Sequence, residues 1–177
     1  QVNRCNEILK RLSMNYTLKD DFIEKDLSLH NLIKEIVSSF KDISSKNFII
    51  NVEQDTNSFA IKKSIEIIYG IRNFIGNANK YAKKNIYISI KSDSESSEIV
   101  IEDDGPGFSK DILSKIGQPY IKSLRSNDKK KSGLGLGIFI GKTLLEKNFA
   151  KIIFRNSETR GGAEIKIEWE NKNLINI

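Results

Sequence analysis

The stretch "SGLGLGIFIGKT", residues 132–143, alternates glycine with leucine and closes on Gly-Lys-Thr. As a Walker phosphate loop, G-x-x-x-x-G-K-[ST], it requires a glycine at position 136, where the chain has Leu136. As the dinucleotide pattern G-x-G-x-x-G, started at Gly133 or Gly135, it requires a glycine where Ile138 or Ile140 stands. Both motifs also need a strand just upstream, and the preceding "SLRSNDKKKS" is polar with no apolar alternation. What remains is a glycine-rich loop feeding a helix expected from about Leu136 to Lys147. The first N–H groups of such a helix and its positive dipole end make an anion site. Lys142 and Thr143 then fall one turn inside the helix, in a supporting role.

Working outward, seven of the eleven glycines lie between Gly105 and Gly141, and the only two prolines, Pro106 and Pro119, lie there as well. No apolar run reaches the roughly 18 residues that a membrane span needs. A single cysteine excludes an internal disulfide, and with a single histidine it excludes a Cys/His zinc site. The net charge of +6 comes from lysines scattered along the chain, which is no nucleic-acid footprint, so no nucleic-acid partner is expected. The one charge cluster, Lys129, Lys130 and Lys131, is either a solvated loop or a neighbour of phosphates. The start at Gln1 suggests part of a longer protein.

The periodicities divide the rest. Val2, Cys5, Leu9 and Leu12 recur at spacings of three, four and three, the seam of a coiled-coil helix that needs a partner. "DLSLHNLIKEIVSSF" reads as an amphipathic helix with Ser28 as its cap, followed by the alternating strand "NFIINVE". Ile61, Ile65, Ile68, Ile71, Ile75 and Ala78 predict a long helix of about six turns. Strands "NIYISIKS" and "SEIVIEDD" flank a polar hairpin loop, and "KIIFRNS" and "AEIKIEW" form a second pair. This order predicts an α/β chain with a mixed sheet and helices packed on one face.

Three segments carry chemistry. Asn73 and Asn77 share a face of the long helix, with Lys80 and Tyr81 one turn on. They are either surface amides or partners of a hydrated magnesium, which accepts one protein oxygen beside phosphates and waters. "DDGPGF", residues 103–108, is either an Asp-Gly turn or a carboxylate set to accept from an exocyclic amine, beside glycines that admit a flat ligand. The third segment is the glycine loop itself.

In this order and spacing, the segments resemble the ATP-binding catalytic domain of sensor histidine kinases, within the GHKL superfamily. "NFIGNANKYA" is similar to the N box, "DDGPGF" to the G1 box, "GQPYIKS" to the F box and "GLGLGIFIGKTLLE" to the G2 box, and the likeness covers roughly residues 20–170. It implies the Bergerat fold, a two-layer α/β sandwich with a mixed, mainly antiparallel sheet. It implies ATP and Mg2+ as cofactors, with Asn77 on the metal, Asn73 and Lys80 along the phosphates and Tyr81 near the nucleoside. Asp103 is implied to bind the adenine amine in a pocket shaped by Gly105 and Gly107. Residues 118–132 are implied to form a lid from which Lys122, Arg125 or the lysine run meets phosphates. Gly133, Gly135, Leu136 and Gly137 are implied to hold the triphosphate and the helix start.

"RCNEIL", "GQPYIKS" and "GIFIGKTLLE" are similar to the RegB/PrrB-type redox-responsive kinases. That likeness implies that residues 1–16 end the dimerisation hairpin and that residues 17–177 form the catalytic domain. It also implies a homodimer through the upstream hairpin, a cognate response regulator as partner, and the cytoplasmic side of an inner-membrane sensor. Cys5 matches a cysteine linked to redox control, although a seam cysteine also serves as packing.

The family's acceptor histidine precedes an acidic residue and, soon after, a proline, whereas His30 precedes Asn31 and Leu32. The acceptor is therefore expected upstream of Gln1. ATP-hydrolysing relatives carry a water-activating glutamate four residues before the magnesium asparagine, and Asn73 stands there, which leaves water without a carboxylate base. "KNFAKI" replaces the family's frequent His-Gly-Gly and leaves the next turn uncertain. The expected function is histidine phosphorylation from MgATP. The alternatives are an anti-sigma-factor-type serine kinase and a regulatory ATP-binding module.

Overall fold

Alternate residues of two strands, Ile86, Ile88 and Ile90 on one and Ile99 and Ile101 on the other, are almost wholly buried. A period of two confines them to one sheet face, and burying that face requires helices laid across it. The computed structural model describes residues 28–41, 43–53, 60–62, 64–116, 118 and 136–175. In chain order the elements are α1 (Leu29–Lys41), β1 (Asn47–Val52), α2 (Ile65–Tyr81), β2 (Asn85–Ser92), β3 (Ser96–Asp103), α3 (Lys110–Leu113), α4 (Gly137–Lys147), β4 (Lys151–Asn156), β5 (Ala163–Glu170) and α5 (Asn171–Ile175).

The five-stranded sheet has the order β1-β2-β3-β5-β4. β1 pairs parallel with β2 through the α2 crossover, and the remaining pairs are antiparallel. The expected mixed, mainly antiparallel sheet is therefore present. The β2–β3 hairpin closes through Asp93, whose Oδ1 accepts from the N–H groups of Glu95 (2.8 Å) and Ser96 (2.7 Å). In the inner register Ile101 faces Ile165 and Ile99 faces Ile167, and one apolar core joins these residues to Ile33, Ile36, Ile71, Phe74 and Leu145 of the helices. On the other face Lys166 donates to Glu98 (2.7 Å) and Glu168 (2.9 Å), a polar ladder suited to water.

Ser28 caps α1 as expected, its Oγ accepting from Asn31 N (3.2 Å). The long helix, however, begins one turn later than its apolar periodicity predicts. Ser64 is the cap, with φ −120° and ψ 122° and its Oγ accepting from Ile67 N. Ile61, in phase with the helix, is buried from the segment before it, while Ile65 is 60% exposed. The capping hydroxyl outweighs the period because it satisfies a donor that the first turn leaves orphaned. The two short helices α3 and α5 have no counterpart in the sequence expectations. The coiled-coil seam at residues 2–12 lies outside the described residues.

Helices α2 and α4 run antiparallel and nearly touch. A Cβ on Gly70 would enter the Leu145 side chain, and one on Gly141 would stand 2.6 Å from the Phe74 ring and 3.1 Å from the Gly70 carbonyl oxygen. Phe74 is fully buried and receives Phe154 edge-on from β4, with centroids 5.8 Å apart at 86°. Such a pair contributes about 0.5–1.5 kcal/mol beyond its buried area.

Gly141→Ala sets two effects against each other. Alanine improves intrinsic helix propensity by about 1 kcal/mol, whereas forcing a methyl against a buried ring and a backbone oxygen costs about 1–3 kcal/mol. Net destabilisation of about 1–2 kcal/mol is expected. It is read by denaturant unfolding of Trp169, the single tryptophan, which is buried on β5.

Candidate functional site

The C-terminal half of α2 carries the first part of the site. Asn73 donates through Nδ2 to the Tyr69 carbonyl (2.8 Å), and its Oδ1 lies 3.7 Å from where a Cβ on Gly137 would stand. The first residue of α4 thus closes on Asn73. Asn77, one turn later, is half-buried, and its amide has no hydrogen-bond partner among the described residues. Lys80 places Nζ 5.1 Å from the centroid of the Tyr81 ring, and Tyr81 is partly exposed. Among the described residues no group of three or more His, Cys, Asp or Glu side chains could hold a metal. A cation beside Asn77 would therefore take one amide oxygen and draw its other ligands from water and from a bound anion. That donor set fits Mg2+, which keeps waters and phosphate oxygens.

The second part is the end of β3, where two consecutive aspartates have opposite roles. Asp103 points inward and is 2% exposed. Its Oδ1 accepts from the N–H groups of Gly105 (2.8 Å) and Ala163 (3.2 Å), while Oδ2 takes no hydrogen bond among the described residues. Burial pushes its pKa up, the two N–H donors oppose that rise, and the charge of Asp104 adds to it. Asp104 points outward and accepts from the N–H groups of Lys83 (2.8 Å), Lys84 (2.9 Å) and Asn85 (2.9 Å). Partial burial raises its pKa, but those backbone donors outweigh it and hold the carboxyl below the usual range. Asp104 ties the α2–β2 loop, and Asp103 keeps one acceptor to offer.

Tight backbone approach shapes this corner. A Cβ on Gly105 would stand 2.7 Å from Asp103 Oδ1 and would also strike the Tyr81 carbonyl, and one on Gly162 would strike Asp103 itself. Gly105 thereby joins the end of α2 to the aspartate. Gly107 has φ +69°, and a side chain there would meet Asn156 Oδ1. Asn156, at the end of β4, accepts from Phe108 N (2.6 Å) and donates to Phe108 O (2.9 Å). The Phe108 ring stands edge-on to Phe154 at 6.3 Å, and Phe154 in turn meets Phe74 of α2. Asn156, Gly162, Ala163 and Phe154 escape the sequence reading. An asparagine at a strand end before a turn carries no local mark of a partner 48 residues away.

The third part is the start of α4. Leu136 is its N-cap residue, with φ −93° and ψ −20°, and supplies no side-chain cap. The first N–H groups, from Gly137 onward, are left for another acceptor. Lys142 pairs with Glu146 at 3.7 Å and Thr143 is exposed, consistent with their place inside the helix. Gly133, Gly135, Lys122, Arg125, the lysine run and Cys5 lie outside the described residues. The structure thus brings Asn73, Asn77, Lys80, Tyr81, Asp103, Gly105, Gly107, Leu136 and Gly137 to two joined corners, with α2 running between them.

The two aspartates move stability in opposite directions with pH. Asp103, with a raised folded pKa, is destabilising when ionised, and that cost fades as pH falls through the raised value. Asp104, with a lowered folded pKa, contributes stability above the unfolded carboxyl pKa that is lost as pH falls through its depressed value. Asp103→Asn is therefore expected to match or exceed the parent Tm at pH 7, with the difference closing on acidification. Asp104→Asn is expected to lower Tm most at pH 7. Thermal melts at stepped pH check both, and a clear fall in Tm for Asp103→Asn at pH 7 contradicts the first.

A family described as "Histidine kinase-, DNA gyrase B-, and HSP90-like ATPase" matches residues 62–173. The sensor histidine kinase RegB of Cereibacter sphaeroides is 28% identical over 99% of this chain, which spans 41% of that relative's length. The sensor protein KdpD of Clostridium acetobutylicum is 32% identical over 81% of this chain and 16% of its own. Among solved structures, the mycobacterial sensor histidine kinase MprB superposes with a TM-score of 0.66 at 18% identity, covering 82% of this chain and 97% of that one. Full-length ShkA in complex with AMPPNP superposes at 0.64 and 18% identity, covering 81% and 30%. With the match extending over more than half of its length, this chain belongs to the histidine kinase-, DNA gyrase B- and HSP90-like ATPase family.

Proposed function

We propose that this chain is the ATP-binding catalytic part of a sensor histidine kinase, which holds MgATP and presents its γ-phosphoryl group to a histidine outside these residues. The observation that carries the reading is Asp103, a buried carboxylate with one oxygen tied to backbone and the other open. Burial of such a group costs free energy unless a donor arrives, and an adenine amine is a donor of the right size beside Gly105 and Gly107. From Tyr81 back to Asn73, α2 covers about 12 Å, at 1.5 Å per residue. That length joins a base corner to a phosphate corner at the start of α4.

In this reading MgATP supplies the transferable phosphoryl group, and the metal offsets the charge of its phosphates. Asn77 offers the cation its unused amide oxygen, and the α4 N–H groups beside Gly137 receive phosphate oxygens. Asn73 is held by Tyr69 and lines the same corner, with Lys80 as the adjacent positive charge. Gly133 and Gly135, outside the described residues, would hold the triphosphate, and Lys122, Arg125 or the lysine run of the implied lid would meet phosphates. Catalysis is then positioning and charge neutralisation. Asn73 supplies no carboxylate to activate water, which favours transfer over hydrolysis.

His30 is a poor acceptor. It is the second residue of α1, and partial burial, aided by the positive charge of Lys34, lowers its pKa without bringing it to either corner. The acceptor belongs to a dimerisation hairpin that residues 1–16 would end, with residues 17–177 as the catalytic unit. A response-regulator aspartate is the onward acceptor, and Cys5 in the hairpin seam is a candidate redox thiol. Among the described residues no helix is long and apolar enough to cross a membrane. The unit would work on the cytoplasmic side of a sensor.

Titration with ATP checks the reading in two steps. Asp103→Asn is expected to weaken ATP at least tenfold with or without Mg2+, while Asn77→Ala is expected to remove only the Mg2+-dependent gain. Unchanged ATP affinity in Asp103→Asn contradicts the base assignment. When the chain is joined to its upstream hairpin, labelling from γ-labelled ATP is expected, and its absence contradicts the kinase reading.

A further inference from the structure

The chain bends at Asp104 and Gly105 and then runs through Pro106 and Gly107, the latter at φ +69°, to Phe108. No backbone hydrogen bond closes residues 105–108. Here the Phe108 N–H goes instead to Asn156 Oδ1 (2.6 Å), and Asn156 Nδ2 returns a bond to the Phe108 carbonyl (2.9 Å). The segment is thus held by a side chain on another strand. Asn156 pairs in register with Ala163, whose N–H is one of the two on Asp103 Oδ1. The Gly162 carbonyl, 3.3 Å from where a Gly107 Cβ would stand, also bonds Ser157 N (2.8 Å). The β4–β5 end therefore braces both the aspartate and the Gly107–Phe108 segment.

We propose that Asn156 is a positioning residue for the base half of the site, keeping the segment at residues 105–108 in its binding shape before a nucleotide arrives. The inference rests on the adenine nucleotide reading above and adds to it the group that pre-orders the pocket wall. Asn156 does not touch the nucleotide; it acts through Phe108 and Gly107. Two bonds to one residue's backbone favour the ordered segment, and a nucleotide binding to a partly ordered segment loses affinity in proportion to the ordered fraction. The Phe108 ring stands edge-on to Phe154, an apolar hold on the same wall that does not involve Asn156.

The test is Asn156→Ala in the 177-residue chain, with ADP affinity measured by calorimetry with and without Mg2+ well below the melting temperature. Loss of two hydrogen bonds corresponds to about a tenfold weakening of ADP. The Mg2+-dependent affinity ratio is expected to stay at its parent value, because the metal corner is untouched, and adenosine competition is expected to weaken by the same factor as ADP. Parent-like ADP affinity in the folded variant overturns the proposal. A collapse of the Mg2+ ratio together with affinity also overturns it, since that marks general loosening and not a wall-specific role. If the parent chain itself binds no ADP, the nucleotide reading fails first, and this inference with it.

Discussion

The close crossing of α2 and α4 is the constraint on which the site depends. Gly70 and Gly141 remove the side chains that would hold the two helices apart, and Leu145 and Phe74 fill the space so released. Because the contact is backbone against side chain, it fixes axial register as well as distance. That register sets Gly137 beside Asn73, so an uncapped helix start faces an amide-bearing helix face. The same crossing explains the weight carried by Phe74. It receives α4 at Gly141 and β4 through Phe154, and so ties the helical layer to the sheet next to the corner where Asp103 lies.

Electrostatics divide the labour at the other corner. Two adjacent carboxylates on a strand project to opposite faces, and their surroundings push their pKa values apart. The outward one is spent on three backbone donors and fixes the loop that leaves α2. The inward one is left with an open oxygen in a dry setting, where a hydrogen bond from a ligand is worth more than in water. Burial of Asp103 with one oxygen open leaves an unmet acceptor that a ligand donor would satisfy.

Much of this was legible from the chain itself. The four-residue spacing of Asn73 and Asn77, the alternation in the strands, the Ser28 cap and the glycine loop opening α4 are local signals, each set by backbone geometry. The misread start of α2 shows how such signals compete. Ile61 is in phase with the helix and buried with it, so periodicity alone could not separate a helical residue from one packed beneath the cap. Asn156, Gly162 and Phe154 were illegible for another reason. Their partners are distant in sequence, and a strand-end asparagine or a turn glycine looks the same whether or not it braces a site.

The sequence by itself determined the family boxes, the sheet-and-helix layering and the residue types available for chemistry, because those follow from short-range spacing and the pleat of a strand. Only the tertiary structure decided which of two aspartates faces inward, which asparagine amide stays unused and which side chain holds Phe108 beside Gly107. Those outcomes depend on packing between residues 19 to 60 positions apart: Asp104 with Lys83 to Asn85, Phe108 with Asn156, and Asp103 with Ala163. Local propensity carries no information about which distant donor a buried acceptor will meet. Close packing supplies it, since a buried polar group must be paired or be left open to a ligand.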